Sequence, residues 1–454
     1  MRPGLAIAAG FGLSIRGQCA PVMSSSTDSS SPSPANAPAE LPSAHSAFRM
    51  TGVERRASMS LAAIFALRML GLFLVLPVFV LEAARLPGGH DPLLIGIAMG
   101  AYGLTQALLQ IPLGLASDRY GRKRVIVLGL AVFALGSVLA ACAGSIHVLI
   151  AGRALQGAGA ISAAVTALLA DLTRDEVRTK GMAMVGASIG LMFAISLMIA
   201  PTLDGWFGLP GLFALTTLLA LVGIALVLWV TPPEPARHAD LPRGRIADVW
   251  AHPHLWRLDL GVFVLHTVQM SMWVVVPGLL VAVGLPVNRQ WHVYLPAVVL
   301  SFVLLVVIFG LERGGHLRAV LRGGIALLVA VQLAFWRLAP HSPGLWAIGI
   351  VLFFFFVAFN ALEATQPSLI SRLAPAHSRG AALGIYNTLQ SLGLFAGGAL
   401  GGGLFKYFGP QAVFAVSSVL AALWLILGWA QVVPPPRSRQ HQPAPTDRST
   451  RDAT

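Results

Sequence analysis

Along most of its length the chain alternates long apolar runs with short polar connections, and the runs are apolar on every side rather than along one stripe. They fall at 59–81, 93–113, 124–142, 146–170, 179–201, 209–230, 258–282, 291–311, 319–338, 344–368, 380–403 and 410–433. A helix needs about 20 residues to cross the hydrocarbon layer of a bilayer, and a helix that is apolar all round must meet lipid or other helices. The pattern therefore predicts an all-α membrane protein with twelve transmembrane helices. The ends read differently. Residues 1–58 are polar and Ser/Pro/Ala-rich from Ser24 to Ser46, and they predict a disordered N-terminal tail; residues 434–454 predict a disordered C-terminal tail. Arg2 ahead of the weakly apolar Leu5–Ile15 has the look of a signal peptide, but that stretch is short and broken by Gly10 and Gly12; a true start at Met23 or Met50 is the competing reading.

The polar connections are not alike. Alternate connections, together with the N-terminal flank, hold nineteen basic residues, among them Arg55, Arg119, Arg122, Lys123, Arg124, Arg174, Arg178, Lys180, Arg318 and Arg379. The intervening connections hold Arg85, Arg289, Arg337 and Lys406. Basic residues are retained on the cytoplasmic side of a bilayer, so this asymmetry predicts that both termini are cytoplasmic. The polar, Pro-rich stretch 231–257 reads as a central cytoplasmic linker between an N-terminal six-helix bundle (59–230) and a C-terminal one (258–433). A repeat supports that division: Leu172 and Arg178 recur as Leu373 and Arg379, 201 residues later, each time ahead of a Gly-rich run.

Composition narrows the function classes. Charged residues make up 11% of the 454 residues and hydrophobic ones 56%, whereas soluble domains are about 25% charged. The net charge of +13 would suit a nucleic-acid partner, but the basic residues sit in short clusters between apolar runs, so none is expected. Two cysteines, Cys19 and Cys142, make neither a disulfide framework nor a four-ligand metal site. No Lys is followed by Ser or Thr, which excludes the phosphate loop of an ATP-driven pump. Gly186-Ala187-Ser188-Ile189-Gly190 has the spacing of a serine-hydrolase elbow but lies inside an apolar run; an intramembrane serine protease with His266 as base is the remote enzyme reading.

The connection Gly114-Leu115-Ala116-Ser117-Asp118-Arg119-Tyr120-Gly121-Arg122-Lys123-Arg124 packs a tight turn and five charges between the second and third runs. Glycines at both ends let the chain reverse closely, and Asp118 can pair with Arg122 in an ion pair that changes partners as two bundles rock. The segment resembles the signature loop of the major facilitator superfamily. Gly152-Arg153-Ala154-Leu155-Gln156-Gly157-Ala158-Gly159-Ala160 is similar to the family's fourth-helix motif, and Gly186 to Pro201 to its fifth-helix antiporter motif, with Ala200-Pro201 where Gly-Pro is usual. Leu67-Arg68-Met69-Leu70-Gly71-Leu72-Phe73 and Ala170-Asp171-Leu172-Thr173-Arg174 look most like drug:proton antiporters of the YajR type, without the extra C-terminal soluble domain often found in that branch.

The resemblance implies two six-helix bundles and a conformational latch made by Gly114, Asp118, Arg119, Gly121, Arg122, Asp171 and Arg178. In it Asp118 faces the start of the eleventh helix near Gly380, and Arg122 reaches Asp171; both contacts lock an outward-facing state. It also places the first, fourth, seventh and tenth helices around a central cavity, so that Arg68, Arg153, Gln156, His266, Gln269, Asn360 and Glu363 become the substrate and proton pathway. A lone charge such as Arg68 at mid-membrane costs about 2.5–3.5 kcal/mol on insertion scales and must face protein or water; the plainer reading of Arg68 and Arg153 is that they brace helices. Glu363 is the candidate proton carrier, although related antiporters often carry an acid in the first helix and this run has none before Glu82.

The expected activity is secondary transport by alternating access: efflux of small lipophilic compounds in exchange for protons, driven by the proton gradient without a cofactor or metal. The expected partners are a small-molecule substrate, protons and the lipid bilayer of the inner membrane, and the expected state is a monomer. Proton-coupled uptake of a small metabolite is the alternative, and a membrane sensor or scaffold that moves no solute is a further one.

Overall fold

The structure is a computed structural model that describes residues 49–234, 252–341, 344–375 and 378–431. The tail expected over 1–58 lies outside the described residues up to residue 48, as do residues 235–251 of the linker and the C-terminal tail. The described residues form thirteen α-helices and no strand. They are α1 Gly52–Leu74, α2 Leu76–Ala83, α3 Pro92–Tyr120, α4 Arg122–Ala141, α5 Ile146–Ala158, α6 Ser162–Asp171, α7 Asp175–Ala225, α8 Pro253–Ala282, α9 Trp291–Arg313, α10 Leu317–Leu338, α11 Leu345–Leu373, α12 Arg379–Phe408 and α13 Pro410–Gly428.

Local chemistry fixes several boundaries. Helix α1 starts at Gly52 on a capping box: Thr51 Oγ1 accepts from the Glu54 amide at 3.2 Å and Glu54 Oε2 accepts from the Thr51 amide at 2.8 Å. The first apolar run breaks at Val75 because Pro77 has no N–H to offer the Phe73 carbonyl, which the Val75 amide takes instead. The fourth run is likewise two helices, parted at Gly159, where a side chain would strike the Gly129 carbonyl and Phe133 of α4.

Ten spans among the described residues are long and apolar enough to cross a membrane. Two features separate this from the twelve apolar runs. The runs at 179–201 and 209–230 are two helical segments that abut at Gly208, whose φ of +63° leaves helical geometry and suits glycine, so that Glu176–Val230 counts as one 55-residue stretch. Helix α12 is 30 residues long, but Asn387, Thr388, Gln390, Ser391 and many glycines dilute its apolarity, and it is not among the ten.

Residues 52–56, 122–123, 171–174 and 229–234 gather at one end of the helices, here the basic end. Arg56 Nε donates to the Val230 carbonyl at 2.8 Å, Lys123 Nζ to the Thr231 carbonyl at 2.6 Å, and Arg174 grips Glu54 with Nε–Oε1 at 2.8 Å and Nη2–Oε2 at 3.2 Å. The second half repeats the tie: Arg257, 201 residues after Arg56, donates to the Ala430 carbonyl at 3.1 Å, and Arg322 to the Trp429 carbonyl at 2.5 Å. At the opposite end, the far end, α3 and α12 meet along bare backbone. A side chain on Gly96 would fall on the Gly398 carbonyl and one on Gly398 on the Gly96 carbonyl, while Gly402 abuts the Pro92 carbonyl and Gly100 abuts Phe395. Lys406 pairs with Asp91 at 2.7 Å, and Phe193 of α7 meets Trp273 and Phe356 with ring centroids 6.5 and 6.1 Å away.

One apolar core joins far-end residues of both halves, from Val75, Phe79, Ala98 and Phe213 to Trp273 and Phe356, and in the second half it continues to Tyr386 near the basic end. The basic end of the first half keeps a separate core built on Leu61, Ile64, Val125, Ile126, Leu168 and Val227. At the basic end of α12, side chains built on Gly380 and Gly384 would meet nothing within 4 Å. The contacts described above between the two halves lie at the far end.

Candidate functional site

Three groups of side chains account for the candidate residues. The first is the α3–α4 connection. Gly121, with φ of +115°, reverses the chain so sharply that Arg122 turns back on the end of α3. Its guanidinium makes an ion pair with Asp118, donates to Ser117 Oγ at 2.8 Å and reaches Asp171 Oδ2 at the end of α6 at 3.2 Å. The Ser117 hydroxyl bonds back to the Gly114 carbonyl at 2.7 Å. Arg119 lies over the Tyr120 ring, and Arg178 ties the α6–α7 connection through the Ala170 and Thr173 carbonyls at 3.2 and 3.4 Å. Arg122 and Asp171 thus meet as the family resemblance implied. Sequence reasoning missed Glu234, which accepts from the Arg122 and Lys123 amides at 3.2 and 2.5 Å. A carboxylate on the free amides of a helix N-terminus is favoured by their aligned dipoles, and only its distance in sequence hid it.

The second group is buried in the first half. Arg68, 1% exposed, donates to Tyr102 Oη at 2.7 Å, Gln106 Oε1 at 3.0 Å and Ser162 Oγ at 3.4 Å. Arg153, 2% exposed, donates to Gln156 Oε1 at 2.7 Å and the Met99 carbonyl at 3.5 Å, and Gln156 in turn donates to Ser137 Oγ at 2.8 Å. Both guanidinium groups sit near the Tyr102 ring, with Phe133 beside Arg68 and Phe79 beside Arg153. Arg68, Arg153 and Gln156 are therefore packed between helices rather than presented to an open cavity, because each is sealed by the aromatic and amide groups it bonds.

The third group lies in the second half. His266 Nδ1 donates to the Val262 carbonyl at 3.0 Å, which leaves Nε2 to accept from Gln390 Nε2 at 2.9 Å. The same amide nitrogen donates to Glu363 Oε1 at 2.9 Å, and Glu363 Oε2 lies 3.5 Å from His266 Nε2 without a hydrogen bond of its own. Asn360 turns away to Ser301 Oγ at 2.8 Å, and Gln269 is half-buried one helical turn beyond His266. Gln390 was missed, although its polar side chain in an apolar run was the available signal. Ser391 beside it accepts from Gln106 Nε2 at 2.8 Å, so the Arg68 network touches α12, whose Gln390 bonds Glu363 of α11. An apolar recess lined by Met272, Trp273, Val276, Tyr294, Leu352, Phe355 and Phe356 lies toward the far end of this half. Ser188 has no part in any of these groups: its hydroxyl bonds to the Val185 and Ala62 carbonyls, and His266 is engaged elsewhere, so the serine-protease dyad is not assembled.

The family model described as Major Facilitator Superfamily matches residues 61–398 and again 311–452. The chain belongs to the major facilitator superfamily. It is 44% identical over 394 residues to the inner membrane transport protein YajR of Escherichia coli, covering 86% of each chain. It is 26% identical over 389 residues to multidrug resistance protein 2 of Bacillus subtilis, covering 80% of this chain and 92% of that one. Among solved structures, a bacterial homologue of the human lysosomal transporter Spinster, in an inward-facing and occupied conformation, superposes with a TM-score of 0.67 at 15% identity, covering 84% of this chain and 97% of that one. As a major facilitator superfamily member the chain is an alternating-access transporter rather than an enzyme, and a multi-pass protein of the inner membrane.

Proposed function

We propose that this transporter exchanges protons for small lipophilic compounds and expels them from the cell. On this reading the bent stretch Glu176–Val230 makes two spans, α12 makes another, and twelve spans form two six-helix bundles with both termini cytoplasmic. The basic end then faces the cytoplasm, and the arrangement described above is the inward-facing one. Asp118, Arg119, Arg122, Asp171 and Arg178, with the turn glycines Gly114 and Gly121, act as a latch that completes itself only when Gly380 swings toward Asp118. Arg68, Arg153 and Gln156 brace the first bundle, and His266, Gln269, Asn360 and Glu363 face the transport path.

The observation that carries the reading is Glu363. It is a carboxyl inside the membrane region, held on one oxygen by Gln390, with the other oxygen buried and unbonded beside a histidine. Such an intramembrane acid is a proton carrier by default, because a lone fixed carboxylate there is costly. The name of the Bacillus subtilis relative supports export.

The test uses energised everted vesicles. A panel of lipophilic cations, neutral drugs and organic anions is added while a dye reports the proton gradient. At least one compound is expected to release protons through the intact protein, with the rate lowered about a hundredfold in Glu363→Gln. Silence across the panel, or an unchanged response in Glu363→Gln, would overturn it, and solute entry that alkalinises the medium would assign uptake instead.

A further inference from the structure

Glu363 is not the sole buried acid of the second half. Helices α8, α11 and α12 each turn two polar residues at helical spacing toward the same interior: Asp259 and His266, Glu363 and Gln366, Tyr386 and Gln390. They form two layers. In the first, Gln390 links His266 and Glu363. In the second, Asp259, Gln366 and Tyr386 are 4%, 0% and 1% exposed, yet Asp259 Oδ1, both amide atoms of Gln366 and the Tyr386 hydroxyl have no hydrogen-bond partner. Buried polar atoms are nearly always bonded, so four orphans on three adjoining helices mark a place built for something small and polar.

The layers are stacked along the membrane normal. At about 1.5 Å per residue, Asp259 lies about 9 Å from the basic end of α8, and Glu363 about 15 Å from the basic end of α11. The Tyr386 hydroxyl stands within electrostatic reach of both carboxyl groups. Arg257, two residues before Asp259, is committed to the Ala430 carbonyl and to His254. The facing titratable groups are Tyr386 from α12 and Glu363 from α11, whereas α13 contributes an indole, Trp424, which closes with Gln366 over Gly261. Among the described residues no cation pairs with Asp259.

We propose that Asp259 is a second proton-binding residue, and that the proton carried by Glu363 passes through Tyr386 to Asp259 on its way to the basic end. A phenol both donates and accepts. Tyr386 is hydrogen-bonded to neither acid, so each leg needs an intervening water: the O–H bond of Glu363 breaks as one forms on a water that passes its own proton to the Tyr386 oxygen, and the original Tyr386 O–H breaks as a second water takes that proton and gives one to Asp259. Tyr386 ends neutral, Glu363 is left as carboxylate, and Asp259 releases the proton to water at the basic end. This relay rests on the proton coupling proposed above.

The test needs no substrate. Infrared difference spectra of the full-length protein in detergent are recorded against pH, and again on transfer to deuterium oxide. Two carboxyl C=O bands are expected, one absent in Glu363→Gln and the other in Asp259→Asn. Deuterium should reach the Glu363 carboxyl about tenfold more slowly in Asp259→Asn and in Tyr386→Phe, both near-isosteric. No band lost in Asp259→Asn, an unchanged exchange rate at Glu363 in both variants, or an Asp259 band that follows sodium concentration rather than pH would overturn the relay. Absence of the Glu363 band would instead overturn the coupling on which it rests.

Discussion

The first half of the molecule buries arginines and the second half buries carboxyl groups, and the two kinds of charge are treated differently. Arg68 donates to three side chains and Arg153 to Gln156 and the Met99 carbonyl, with aromatic rings beside both, although the Nε of each is buried without a partner. Asp259 and Glu363 are each left with an oxygen unbonded. A guanidinium keeps its charge at any pH a cell meets, so it serves as a fixed tie between helices. A carboxyl group changes charge, and an oxygen left free is where the proton arrives. On the function proposed above, the halves divide the work: the first braces the bundle and the second carries the proton.

The largest expected effect breaks this contrast directly. Glu363→Gln should abolish proton-driven flux while leaving the melting temperature near that of the parent. Arg68→Met should do the reverse, because it strands Tyr102, Gln106 and Ser162 at a cost of about 1–3 kcal/mol. Thermal unfolding of the purified variants separates the two, and a destabilised Glu363→Gln with an intact-folding Arg68→Met would remove the division. A smaller effect is expected at the latch. Asp118→Asn removes one of the two acids held by Arg122, and should lower the rate of net transport about tenfold at unchanged expression; normal rates would show that the loop has no gating role.

The smallest effect is at the far end. The Lys406 ammonium bonded to Asp91 holds its carboxyl below the usual carboxylate range. Because the depressed value belongs to the closed state, the pair favours far-end closure above the ordinary Asp pKa of about 4 and loses that preference as pH falls further. Spin labels on α3 and α12 should report far-end opening on acidification, by about twofold or less for so exposed a pair. The response should vanish in Asp91→Asn.

Much of this was legible in the sequence for physical reasons. Helices apolar on all sides announce themselves, and the tight turn at Gly121 with its charges can be read without a partner in view. What stayed hidden was whatever depends on long-range approach. Glu234 caps α4 from 111 residues away, and nothing in its own neighbourhood signals that. Asp259 was passed over because it stands one residue inside the edge of an apolar run, where a charge passes for part of the linker. The division of the fourth run at Gly159 follows from the nearness of α4, which periodicity cannot register. The two runs on either side of Gly208 abut without a loop: the glycine leaves helical geometry for a single residue and so parts two helices with no connecting segment.

The glycine seam between α3 and α12 has one more consequence. Ordinary packed surfaces immobilise side chains when they meet, at about 0.5–1 kcal/mol of rotamer entropy for each leucine or isoleucine. Gly96, Gly398 and Gly402 have no rotamers to lose. At these three positions the two helices can join and part without freezing or thawing a side chain. The resistance to opening then falls on what flanks the seam, the bonds of Gln106 to Ser391 and Asp91 to Lys406 and the apolar contact of Phe193 with Trp273 and Phe356.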